Sequence, residues 1–306
     1  MWSTFRIGFF AYWVLLPSLY AGSFLTKPFL VGGEVDVAGI FSSVLAFSAS
    51  AADLSERCSG TKIGPRLILT AAHCFTEELS EGKALLIKRN ILVKKIFYSF
   101  SSVVNSSAKS QEVSVERILF HPELETCFSS SDRSPAECVD KYPDLAIVEV
   151  KSNDSFTKEN WASVDLNSVQ DGDPVVIVGY GAQTDNDQSP PVRKFHRSHV
   201  VSIEDLVKSH GGVTPAELSI YKELYFGSWG LLMGPAYANL GAGDSGGPVF
   251  TLQNGQPELV GVNSFSYCQD QELDCEITSN SYFTRLHSGS SHRLGEWVLN
   301  VIDSNH

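Results

Sequence analysis

The sequence predicts an all-β fold, a sandwich or barrel of short strands closed by a C-terminal helix. Three observations carry this. Short runs rich in Val, Ile and Leu recur between turns from Ser43 onward. Helical signals are confined to two stretches. A polar segment, 151–167, contains Asn153, Asp154, Lys158 and Asn160 and separates two parts of similar size.

The N-terminus comes first and stands apart. Arg6 is the only charged side chain before an apolar run over 7–21, which Pro17 interrupts and Ala21, Gly22 and Ser23 follow. This is the pattern of a secretory signal, expected over 1–23. The run is short for a membrane span, so no stable span is expected after cleavage. A short propeptide over 24–29 follows. The N-terminal half is expected over 30–150, the linker over 151–167 and the C-terminal half over 168–306.

Strands are predicted at 43–47, 67–69, 84–87, 91–97, 145–150, 174–178, 248–252 and 258–262. The Ser-rich stretch 99–110 and the stretch 185–191 read as loops. One helix is predicted to start at Thr214-Pro215-Ala216-Glu217, where Thr214 caps and Glu217 closes a capping box. The other spans 294–302, with Leu294, Trp297, Val298 and Val301 at helical spacing.

Composition narrows the function. With 306 residues, 43% of them hydrophobic, the chain can bury a sizeable core. A net charge of −12 argues against a nucleic-acid partner. Six cysteines fall as three close pairs, Cys58/Cys74, Cys127/Cys138 and Cys268/Cys275, and local pairing is expected in an oxidising compartment. No Cys-x2-Cys spacing supports zinc. Asn105 and Asn153 each begin a glycosylation sequon.

The chemistry centres on Gly241-Ala242-Gly243-Asp244-Ser245-Gly246-Gly247-Pro248. Such a glycine-rich loop can hold a hydroxyl outward and turn N–H groups toward one point, as acyl transfer requires. The same letters fit the nucleophile elbow of α/β-hydrolases, whose acid and base follow the serine. Only His287, His292 and His306 lie downstream of Ser245, none in a distinctive setting. The opposite order is met upstream, at Thr70-Ala71-Ala72-His73-Cys74 and at Tyr142-Pro143-Asp144-Leu145.

Together with Leu30-Val31-Gly32-Gly33, Gly179-Tyr180-Gly181 and Ser264-Phe265-Ser266, these motifs stand in an order that resembles the trypsin/chymotrypsin family of serine endopeptidases. The resemblance covers roughly 30–302. It implies two six-stranded antiparallel β-barrels with a C-terminal helix and an active site between them. Ser245 is implied as nucleophile, His73 as base, Asp144 as the orienting acid, and the N–H groups of Gly243 and Ser245 as the oxyanion hole. The resemblance implies a substrate pocket with Asn239 at its floor, Ser264 as a substrate-binding serine with the aromatic Phe265 next to it, and Ser266 and Ser281 on the walls. That set favours uncharged residues of small to medium size before the cut. The α-amine freed at Leu30 is implied to pair with Asp244.

Two departures stand out: Gly241 takes the place of a cysteine found in many members, and Phe265 that of a tryptophan. The region 203–238 is long, and Cys127–Cys138 encloses an insertion. No metal or cofactor is expected. The partners expected are a protein or peptide substrate and a protein inhibitor, for a secreted monomer in an extracellular or periplasmic setting. The alternatives are a catalytically inactive pseudoprotease acting as a binding module, and an esterase.

Overall fold

A computed structural model of the chain describes residues 33–49, 54, 57–79, 83–86, 93–103, 110–130, 138, 141–151, 156, 161–181, 191–210, 214–228, 240–268 and 279–305. The expected signal and propeptide, Leu30, Asn105, Asn153, Asn239 and Cys275 lie outside the described residues.

After the two-residue strand β1 (Glu34–Val35), the first half contains β2 (Val44–Ser48), β3 (Cys58–Lys62) and β4 (Leu67–Thr70). A 3-10 turn (Ala72–Phe75) leads to a hairpin of β5 (Thr76–Leu79) and β6 (Lys83–Leu86). Then come β7 (Lys95–Ser99), β8 (Gln111–Phe120), helix α1 (Pro122–Phe128) and β9 (Ala146–Val150). Six of these close into a barrel in the order β2-β3-β4-β9-β8-β7.

Strand periodicity of two explains its core. Leu45, Phe47, Ile68, Ala146 and Val148 join one buried cluster, while their neighbours Val44, Ala46, Leu67, Leu69 and Ile147 join another that includes residues of the second half. Being buried on both faces, these strands read as continuous apolar runs rather than alternations.

The second half contains β10 (Ser163–Val164), β11 (Pro174–Gly179), β12 (Lys194–His199), α2 (Ile203–His210), α3 (Pro215–Leu224), β13 (Tyr225–Ser228), β14 (Pro248–Gln253), β15 (Gln256–Cys268), β16 (Ser279–Arg285) and α4 (Leu294–Asp303). Six antiparallel strands follow the path β12-β11-β14-β15-β16-β13. An isolated antiparallel bridge, Val201 to Gly227, links the two ends of that path. β1 adds to the β12 edge, and β10 pairs in parallel with β15. The fold is therefore the two-barrel architecture expected, with the end of the polar linker already hydrogen-bonded into the second barrel.

The capping box at α3 is present: Thr214 Oγ1 accepts from Glu217 N, and Glu217 Oε2 accepts from Thr214 N. In α4, Leu294 and Val298 are buried and Trp297 and Val301 pack against the same core. Among the described residues, the long region after β12 holds two helices rather than the one expected, and α1 was not anticipated. Among the described residues no helix is long and apolar enough to cross a membrane.

A network around the buried Asp36, Arg193 and Tyr180 joins the halves. Asp36 accepts from Ile40 N, Phe41 N and Arg193 Nε. Arg193 Nη1 in turn donates to the carbonyls of Val44 and Phe100 and to Tyr180 Oη.

Candidate active site

The pairing of β4 with β9 sets Thr70 opposite Ala146. It thereby delivers the turn after β4, which carries His73, to the segment before β9, which carries Asp144. Asp144 is fully buried. Its Oδ1 accepts from His73 N at 2.9 Å and its Oδ2 faces His73 Nδ1 at 2.7 Å. Ser264 Oγ donates to the same Oδ2 at 2.5 Å. A carboxylate only accepts, so the imidazole proton sits on Nδ1 and Nε2 is left as the basic nitrogen.

The electrostatics follow from this geometry. Burial alone would lower the pKa of His73, but the Asp144 charge and hydrogen bond outweigh it and hold the pKa above 6.5. Burial would raise that of Asp144, but His73 and the Ser264 hydroxyl hold it below 3.8.

The loop bearing Ser245 is pinned against the strands that carry His73. Ser59 N donates to the Ser245 carbonyl at 2.8 Å, and Cys74 Sγ lies 3.8 Å from the same oxygen. Gly246 has φ +80°, and a Cβ there would fall 1.9 Å from Thr70 Oγ1, so only glycine lets the loop lie this close. Disulfides Cys58–Cys74 and Cys127–Cys138 form as expected, the first tying β3 to the His73 turn. The expected third pair is not described, since Cys275 lies outside the described residues.

Asp244 is also fully buried. It accepts from Gly181 N at 2.7 Å and Gly241 N at 3.0 Å. Burial pushes its pKa up to about 6, against the pull of these N–H groups and of the Arg57 and Lys194 charges.

Beside the loop, Ser266 of β15, Ser281 of β16 and Ser228 of β13 stand opposite one another across three strands. Ser266 is exposed, while Ser281 and Ser228 are each 1% exposed. Ser281 Oγ accepts from Leu240 N at 3.2 Å, and Ser228 Oγ has no hydrogen-bond partner among the described residues. Phe265 stacks on Tyr282 with ring centroids 4.6 Å apart.

His73, Asp144, Ser264 and the Ser245 loop are thus brought together. Sequence reasoning placed Ser264 in the substrate pocket and missed its bond to Asp144. It also missed Ser59, Ser228 and the Gly181 N–H. Ser59 directly follows Cys58, but no spacing rule links it to residues far along the chain.

A family model described as Trypsin matches residues 30–285. CLIP domain-containing serine protease C9 of Anopheles gambiae is 26% identical over 250 residues, covering 76% of this chain and 57% of that protein. Phenoloxidase-activating enzyme 1 of Spodoptera litura is 24% identical over 236 residues, covering 74% and 56%. Chymotrypsin-like elastase family member 1 of Felis catus is 23% identical over 257 residues, covering 81% and 79%. The chain spans little more than half the length of the two insect relatives.

Proposed function

Because this chain belongs to the trypsin family, we propose that it is a secreted serine endopeptidase that cleaves peptide bonds through an acyl-enzyme. The observation that carries this reading is the buried Asp144 carboxylate on His73 Nδ1, which leaves Nε2 as the basic nitrogen. Ser245 Oγ attacks the scissile carbonyl, and its proton passes to His73 Nε2. The C–N bond breaks as His73 returns that proton to the leaving amine. Water then repeats the sequence on the ester and frees Ser245. The N–H groups of Gly243 and Ser245 receive the oxyanion. Among the described residues neither has another acceptor, which supports this role.

The primary pocket is read along the row Ser266, Ser281 and Ser228, with Phe265 at its rim and Asn239 at its floor. Nothing in that set carries a charge, so a buried Lys or Arg side chain would lack a partner. Uncharged residues of small to medium size are preferred before the cut. The signal over 1–23 and propeptide over 24–29 are removed, and the new Leu30 α-amine pairs with Asp244. That carboxylate is buried with N–H donors, a setting in which a cation is stabilising.

A fluorophosphonate probe tests the reading, combined with casein and simple-ester assays. Labelling at Ser245 with casein cleavage supports it. Ester turnover without peptide cleavage, or no labelling of correctly processed protein, contradicts it.

A further inference from the structure

Ser59 is fully buried on β3, and its hydrogen bonds reach three separate parts of the site. Its N–H donates to the Ser245 carbonyl at 2.8 Å. Its carbonyl accepts from Thr70 Oγ1 at 2.9 Å, on the strand that leads to His73. Its hydroxyl accepts from Tyr180 N at 2.9 Å and donates to the Gly243 carbonyl at 2.8 Å. The direction of that last bond is forced. A backbone N–H only donates, so Tyr180 takes a lone pair of Oγ and the single hydroxyl proton is left for Gly243.

Two carbonyls of the loop, those of Gly243 and Ser245, are therefore held by one residue of the other barrel. The two N–H groups read as the oxyanion donors belong to these same residues. Gly243 has φ +98°, a region that glycine enters freely and from which it can equally turn away. Oxyanion donors accelerate reaction because they already point where charge will develop. A glycine hinge without an anchor does not keep that aim.

We propose that Ser59 is a positioning residue of the oxyanion-binding loop, fixing the orientation of Gly243 and Ser245 before substrate arrives; this rests on the protease reading above. Without the hydroxyl, the Gly243 carbonyl and the Tyr180 N–H lose their common partner in a site closed to solvent. The loop then relaxes by rotation at Gly243, and the donor leaves its target.

The test compares active wild-type chain with Ser59→Ala, Ser59→Thr and Val260→Ala, the last removing core volume in the second barrel without touching a hydroxyl. Readouts are kcat and KM on a peptide substrate, inhibition by a peptidyl boronic acid, and thermal melting. Losing a whole oxyanion donor costs about 10²–10³ in kcat, and a misaimed one is expected to cost about tenfold. Ser59→Ala should lose kcat by that factor at unchanged KM, and bind the boronic acid more weakly in step. Ser59→Thr, which keeps the hydroxyl, should recover most of the rate. Val260→Ala should melt earlier at normal kcat.

If Ser59→Ala does not fold, Ser59→Gly takes its place and should lose kcat against wild type at unchanged KM. Native kcat in folded Ser59→Ala, or in Ser59→Gly where the alanine variant does not fold, overturns the proposal, as does an equal kcat loss in Val260→Ala. An inactive wild-type chain overturns the protease reading itself, and is distinguished by its failure to react with the fluorophosphonate.

Discussion

Ser264 donates its hydroxyl to Asp144 across the junction of the two barrels, on the very oxygen that faces His73. The acid from one barrel thus accepts a hydrogen bond from a residue of the other, which adds to the larger pull of His73. Ser264→Ala should lower kcat about 10- to 100-fold, since one hydrogen bond to a charged group is worth about 1.5–3 kcal/mol. Asp144→Asn should cost about 10⁴ by leaving the wrong tautomer on His73. Only the unprotonated imidazole is a base, and its pKa is raised. The rate should therefore climb with pH through a midpoint above 6.5, read from kcat/KM across pH. A midpoint below that value contradicts the geometry.

Asp244 provides a second pH signature. Its pKa is about 6 in the folded chain against 3.8 otherwise, so the folded chain holds this proton more tightly. Its contribution to stability is complete below 3.8 and is lost as the pH rises through about 6. An ammonium at Leu30 would offset that loss. Chain beginning at Leu30 should therefore gain melting temperature over chain beginning at Phe24 as the pH passes from about 4 to about 7. Above the amine's own reference of about 7.7–8.0, raised by its partner, the advantage and the activity should disappear together. Full activity in a homogeneous form that retains 24–29 contradicts this mechanism.

The two ion pairs of β1 and its neighbours should differ sharply. Arg193 and Asp36 are 3% and 0% exposed, while Arg197 and Glu34 are 62% and 71% exposed. Arg193→Leu strands a buried carboxylate and should cost about 3–5 kcal/mol in urea unfolding. Arg197→Leu should change stability by less than about 1 kcal/mol. Equal effects would show that Asp36 is not held by Arg193.

A peptide library should show cleavage after uncharged residues of small to medium size. Ser228→Asp is the informative variant, because it puts a carboxylate at the buried end of the serine row. It should shift the profile toward Lys or Arg. A wild-type profile already dominated by Lys and Arg contradicts the reading of the pocket.

The motifs around His73, Asp144 and Ser245 were legible because each is contiguous, glycine-marked or apolar, and because their order is informative. Fully buried strands such as β4 and β9 were legible for the same reason. β12, Lys-Phe-His-Arg-Ser-His, was not: with Phe195 as its lone buried residue, it offers no apolar run. α1 is only seven residues long, too short for helical spacing to emerge from its Pro122 and Glu123 start signals. The strand predicted from 91 begins at Lys95 among the described residues. Contacts such as Ser59 with Gly243, separated by 184 positions, arise only when two barrels close on each other. No local pattern encodes them.

The central claim is that Ser245 is the nucleophile of a peptidase, and active-chain kinetics test it most directly. Chain beginning at Leu30 is assayed on casein and a peptide substrate beside Ser245→Ala of the same length, with matched melting curves. The expected result is turnover by the first and a loss on the order of 10⁶ in kcat by the second. Substantial cleavage by correctly folded Ser245→Ala, or none by folded wild type, contradicts it.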